Sequence, residues 1–200
     1  MGGHDVRERL IESASMLFHA KSYGSVGINE VCAHADVRRG SFYYYFPSKE
    51  ALALAVLERE GGELFDAVAR PALATEGPVT ARFERLFELL ERYHSDRTEH
   101  ADGLVGGCPI ANLGQELAPQ SLVIRGKVVE LYDRFRTVYA DALRDAVERG
   151  ELPTDTDPEA TARRIHAHVQ GVLEVMTMES DPGIVTQLGV DVGGLVVRAG

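Results

Sequence analysis

Apolar residues recur at helical spacing along most of the 200-residue chain. Val6, Leu10, Ala14, Leu17 and Phe18 predict a first helix behind the capping-box-like start Asp5-x-x-Glu8. It ends near Lys21, ahead of Tyr23-Gly24-Ser25. Two short helices follow over 27–34 and 38–44, separated by Ala35-Asp36-Val37. Ser48 reads as the N-cap of a long helix carrying Leu52, Ala55, Val56 and Leu64. Gly77-Pro78 opens another, with Phe83, Leu86, Phe87, Leu90 and Tyr93 on one side, and 98–107 reads as loop. Cys108-Pro109 opens a short helix that stops before Pro119. Residues 121–149 form a long amphipathic stretch. Asp157-Pro158 and Asp181-Pro182 each pair a good N-cap with proline at the first helical position, and predict helices over about 158–179 and 183–198. No strand alternation or repeat breaks the pattern. The expected fold is all-α with about nine helices.

Charge changes the picture only when it is divided. The whole chain carries a net −10, which argues against a nucleic-acid partner. Residues 1–60, however, hold seven basic and eight acidic side chains, while the remainder holds fourteen and twenty-three. The acidity therefore belongs to the second part. No run is long and apolar enough for a membrane span, and the N-terminus turns charged at once, unlike a signal peptide. Two cysteines form no disulfide framework, so a reducing cytoplasm is expected. No metal-ligand or cofactor-binding spacing is present, and none of either is expected.

Two short helices with a three-residue break predict a helix-turn-helix over the N-terminal 50 residues, with residues 51–200 as a separate domain. The break needs a residue that accepts positive φ, and Asp36 can supply it. Arg38, Arg39, Ser41, Tyr43, Tyr44 and Lys49 crowd into twelve residues. Arginine suits guanine edges, while hydroxyls and lysine suit phosphates. The Lys49 amide also opens a helix whose N-terminus favours phosphate. Phe42, Tyr45 and Phe46 read as core.

The segment from Tyr23 to Leu52 closely resembles the TetR family of transcriptional regulators. The resemblance is carried by Ile28-Asn29-Glu30-Val31, Ala35-Asp36-Val37, Gly40-Ser41-Phe42-Tyr43-Tyr44-Tyr45-Phe46 and Ser48-Lys49-Glu50-Ala51-Leu52. It implies a homodimer on a partly palindromic double-stranded DNA operator, released by a small-molecule effector. It also implies that Arg39, Gly40, Ser41 and Tyr43 lie on or near the recognition face, with Tyr44 and Lys49 on phosphates. Three positions depart from the family pattern: Val26 stands where a phosphate-contacting Thr is common, Asp36 where Gly is usual, and Arg38 where a capping Ser is common.

In the second part, Gly107-Cys108-Pro109-x-x-x-Leu113-x-x-Glu116 resembles a TetR subgroup that includes regulators answering to electrophiles and small unsaturated carboxylates. Cys108 at a helix N-cap is placed to have a lowered thiol pKa. Three readings stand together: a reactive thiol, a pocket-lining residue beside an anion-favouring helix end, and a small buried residue. Asn112, Phe83, Phe87, Tyr132, Tyr139, His166 and Met176 are the further candidates for an effector cavity, each also suited to plain core. The last two helices, with Ile165, Val169, Val172, Leu173 and Met176 on one and Ile184, Val185, Leu188, Leu195 and Val196 on the other, are expected to form the dimer interface. The glycines at 189, 193 and 194 permit close approach.

An enzyme would need a base or metal beside Cys108, which the sequence does not assign. An all-α protein-interaction module would have no reason to gather cations and hydroxyls between Arg38 and Lys49. A DNA-binding regulator accounts for both features, and no catalytic residue is expected.

Overall fold

The computed structural model describes residues 3–100 and 106–189, with side chains from Val6 to Arg97 and again from Gly106. Ten α-helical segments follow one another: α1 (Gly3–Lys21), α2 (Ile28–His34), α3 (Arg39–Tyr45), α4 (Lys49–Leu64), α5 (Arg70–Leu73), α6 (Val79–His100), α7 (Pro109–Leu117), α8 (Leu122–Glu148), α9 (Pro158–Glu179) and α10 (Ile184–Gly189). A π turn, Phe65–Ala69, joins α4 to α5 without a break. Taken as one helix, α4 to α5 reduces the count to nine, all-α among the described residues.

Local chemistry accounts for several of the ends. The Ser48 hydroxyl accepts from the Ala51 amide at 3.0 Å, Ser121 from Ile124 at 3.1 Å, and the Asp157 carboxylate from Ala160 at 2.9 Å. Pro158 occupies the first position of α9, and Ser180 closes that helix in the left-handed region at φ 54°. The π turn precedes Pro71. Proline has no N–H for the carbonyl four residues back and its ring crowds that carbonyl, so a widened turn relieves the helix there.

Three boundaries differ from expectation. Helix α1 starts at Gly3, ahead of the capping box centred on Asp5. Helix α6 reaches His100, three residues into the expected loop, because its apolar and charged face continues without a glycine or proline to stop it. The last expected helix is described only to Gly189, so Gly193, Gly194, Leu195 and Val196 lie outside the described residues.

The chain packs as two units, whose boundaries fall inside α4, at the start of α7 and inside α8. One takes the described residues up to Gly62 together with Pro109–Leu131. Its core includes Leu10, Ile11, Ala14, Val31, Phe42, Leu52 and Leu57, all buried. The other takes those of Glu63–Cys108 and from Tyr132 onward. Phe83, Leu86, Phe87, Leu143, Ile165 and Met176 are buried in it. Each of these Val, Leu, Ile, Phe and Met side chains contributes about 1.5–3 kcal/mol when fully removed from water.

The apolar stripe of α9 is used here rather than left for a second subunit. Ile165, Val169, Val172, Leu173 and Met176 are all buried within the single chain. Gly189 also serves internal packing, since a Cβ at that position would stand 2.3 Å from Cγ of Phe87.

Candidate functional site

The helix-turn-helix forms as an element of the first unit. Helices α2 and α3 have seven residues each, too few to be stable alone, and are ordered by packing of α2 on α1 and of α3 on α2. Asp36 turns the chain at φ 51°. Behind it the Val37 amide donates to the Cys32 carbonyl at 2.9 Å, and Ala35 donates to Val31 at 2.9 Å. Arg9 of α1 braces this turn. Its guanidinium donates to the Ala35 carbonyl at 3.0 and 2.6 Å and to the Asp36 carbonyl at 2.6 Å. Periodicity gave no signal for Arg9, because its partners lie 26 and 27 residues away.

Arg38 stands at the N-cap of α3 with extended backbone and no side-chain cap. Replacing a capping serine with arginine thus removes the cap and adds an exposed cation. Arg38, Arg39, Gly40, Tyr43 and Tyr44 are exposed, Tyr44 to 83% and Tyr43 to 48%. The Arg39 guanidinium lies 6.0 Å from the Tyr43 ring centroid, and neither Arg38 nor Arg39 forms an ion pair with a described residue. Ser41 is half-buried. A Cβ at position 40 would meet nothing within 4 Å, so the chain's own packing does not require Gly40. Phe42 and Phe46 are buried beneath this surface, and Tyr45 is half-buried. Val26 is also buried, so the residue that replaces the family's Thr belongs to the core.

Lys49 is placed differently from Arg38 and Arg39. It is the first residue of α4, as predicted, but its ammonium donates to the Tyr23 carbonyl. The same ammonium lies 3.9 Å from the Tyr23 ring centroid and 5.8 Å from that of Phe18. Burial pushes the Lys49 pKa down, opposed by the negative charge of Glu116. Glu30 of α2 accepts from Lys21 at 2.6 Å, which lowers the Glu30 pKa.

In the second unit the structure gathers most of the effector candidates. The Tyr132 and His166 rings lie 4.7 Å apart, Tyr139 and His166 6.4 Å, and Phe83 and Tyr139 5.8 Å. Cys108, 3% exposed, immediately precedes α7. Burial first, and then the nearby Cys108 thiol when charged, push both tyrosine hydroxyls well above their ordinary pKa. Burial, reinforced by the positive charge of Arg136, pushes His166 down to about 4. Neither ring nitrogen of His166 has a hydrogen-bond partner among the described residues. Met176 is fully buried. Phe87 packs instead against His168 at 5.9 Å and under Gly189.

Asn112 belongs to a separate cleft of 460 Å³ in the first unit, with Phe18, His19, Ser22, Leu113, Gln115 and Glu116. Glu116 was legible only as part of a motif; its partners, the backbone amides of Tyr23 and Gly24, carry no side-chain signature. Among the described residues no helix is long and apolar enough to cross a membrane, and no group of three or more metal-ligating side chains forms.

Comparison with known proteins agrees with this geometry. Residues 83–188 match the family described as tetracyclin repressor-like, C-terminal domain, and residues 10–56 match bacterial regulatory proteins, tetR family. The HTH-type transcriptional repressor DhaR of Mycobacterium sp. (strain GP1) is 28% identical over 87% of this chain and 83% of its own. The transcriptional regulator AcuR of Cereibacter sphaeroides is 30% identical over 81% of this chain and 72% of its own. A crystal structure of a regulatory protein TetR from Rhodobacter sphaeroides superposes with a TM-score of 0.78 at 26% identity, covering 94% of this chain and 96% of that one. With both the reader and the C-terminal part matched, the chain belongs to the TetR family of DNA-binding transcriptional regulators.

Proposed function

We propose that the protein is a dimeric repressor that leaves a palindromic operator when a small molecule binds its C-terminal part. The observation that carries the DNA-reading surface is the exposed pair Arg38 and Arg39, without ion-pair partners among the described residues, beside exposed Tyr43 and Tyr44. Gly40 leaves open space on that face for close approach by a partner. In this reading Arg39, Gly40, Ser41 and Tyr43 face base edges, while Arg38 and Tyr44 hold phosphates. Lys49 contributes through its backbone amide at the start of α4, because its ammonium is engaged by Tyr23. The reader is taken as residues 1–50 and the effector and dimer part as 51–200. Since the α9 stripe is buried internally, the second copy meets other surfaces of α9 and α10, which include the exposed Met178 and Leu188.

The effector reading centres on Cys108 beside Tyr132, Tyr139 and His166, with Phe83 and Met176 as walls. The Cys108 thiolate would add to the β-carbon of a conjugated alkene, the C=C π bond breaking as the C–S bond forms and the α-carbon taking up a proton from water. Cys32 and Cys108 are both buried and not joined in a disulfide, in keeping with action in the cytoplasm.

Operator fragments selected by the wild-type protein test the first part. Binding should weaken with salt; Arg38→Ala should reduce the slope by about one, and Arg39→Ala should cost about 1–3 kcal/mol and relax discrimination between operator sequences. An unchanged slope in the first variant together with unchanged affinity and discrimination in the second would place the DNA surface elsewhere. Release by N-ethylmaleimide and by acrylate tests the second part. If Cys108→Ser is released by N-ethylmaleimide as readily as wild type, the thiol is not the sensor.

A further inference from the structure

The turn in front of the helix-turn-helix is held by a carboxylate from α7. Glu116 accepts from the Tyr23 amide at 2.9 Å and from the Gly24 amide at 2.6 Å. Two charge-assisted bonds from one carboxylate to adjacent amides form a strong and directional clamp. The Tyr23 carbonyl is held as well, by the Lys49 ammonium at the start of α4. A single residue therefore joins the α1–α2 turn, α4 and α7.

The local sequence accommodates this clamp. Ser22 sits at φ 80°, and Gly24 and Ser25 are exposed, while the Tyr23 ring packs 5.1 Å from that of Phe18. A Cβ at position 24 would stand 3.0 Å from Oε1 of Glu116, so glycine makes room for the carboxylate. Helix α2 begins at Ile28, a few residues beyond the clamped amides. Displacing α7 would drag those amides and change where α2 and α3 present Arg38 to Tyr44.

We propose that Glu116 is a positioning residue for operator binding, which acts by fixing the Tyr23–Gly24 turn without touching DNA. The inference rests on the DNA-reading function above. Electrostatics makes the test sharp. Removing a negative charge from the unit that holds the DNA reader should on Coulombic grounds strengthen binding. A positioning role demands the opposite.

The full-length protein, Glu116→Ala and Glu116→Gln are compared on an operator fragment selected by wild type. Glu116→Ala should lose roughly tenfold or more in affinity with the salt slope unchanged, because no phosphate contact is removed. Hydrogen exchange at the Tyr23 and Gly24 amides should accelerate, while the core amides of α6 and α9 keep their protection. Glu116→Gln retains one good acceptor and should recover part of the affinity; it serves as the test variant if Glu116→Ala does not fold. Equal or tighter binding by the variants overturns this proposal alone, as do unaltered exchange rates at both amides. A wild-type protein that binds no operator overturns the DNA-reading function and this proposal with it.

Discussion

The His166 imidazole packs against Tyr132 with ring centroids 4.7 Å apart, and neither of its nitrogens finds a hydrogen-bond partner among the described residues. Burial and then the positive charge of Arg136 hold it neutral, with a pKa pushed down to about 4. Since the unfolded chain would protonate this ring near pH 6.5, the unfolded state binds more protons between about pH 6.5 and 4. Stability must then fall as pH drops through that window, by about 3 kcal/mol from this group alone.

Chemical denaturation at pH 7 and pH 4.5 checks this expectation. His166→Phe keeps an aromatic ring and removes the titration, so the variant should lose less stability on acidification than wild type. Parallel losses in the two proteins would show that His166 is not the group that charges.

Arg9 should matter beyond its place on α1. Its guanidinium satisfies the Ala35 and Asp36 carbonyls at the turn between α2 and α3. Arg9→Ala should destabilise the chain by about 2 kcal/mol, since hydrogen bonds to charged groups are worth more than neutral ones. Thermal unfolding should show a Tm lower by several degrees, and operator affinity should fall with it. Arg9→Lys should restore only part, because a compact ammonium cannot fork across two carbonyls.

The opposite sign is expected at the same turn for Asp36→Gly. Asp36 holds φ at 51°, a region that glycine enters without steric cost. Nothing of the Asp36 side chain is needed to keep Arg9 in place, because both acceptors are backbone carbonyls. A gain of about 0.5–1 kcal/mol should appear as a Tm raised by a few degrees. A lower Tm would mean that the carboxylate has a stabilising role of its own.

Features that depend on neighbouring residues were legible in the sequence. Asp36 at positive φ, Ser48 and Asp157 as caps, and buried Phe42 and Phe46 follow from chemistry within a few positions. What escaped is nonlocal. Arg9 reaches the turn across 26 residues, and Glu116 reaches Tyr23 across 93. Lys49 shows why composition misleads at close range: its charge suits a phosphate, but a backbone carbonyl and an aromatic face lie within reach. The aromatic effector candidates were also only half legible. Periodicity marks Tyr132, Tyr139 and His166 as inward-facing, but the grouping around His166 depends on how α8 and α9 pack.

Gly189 offers a final measurement, on the packing of α10 against α6. Its missing side chain lets the backbone lie against Phe87, and a Cβ would fall 2.3 to 2.6 Å from three atoms of that residue. Phe87 is itself 1% exposed, so its ring has little room to retreat. Gly189→Ala should therefore cost about 1–3 kcal/mol through overpacking, although alanine alone favours the helix by about 1 kcal/mol. The double variant Gly189→Ala with Phe87→Leu removes much of the clash and should be less destabilised than the sum of the single changes. Additive losses would mean that position 189 and Phe87 do not press on each other, and that glycine stands there for another reason.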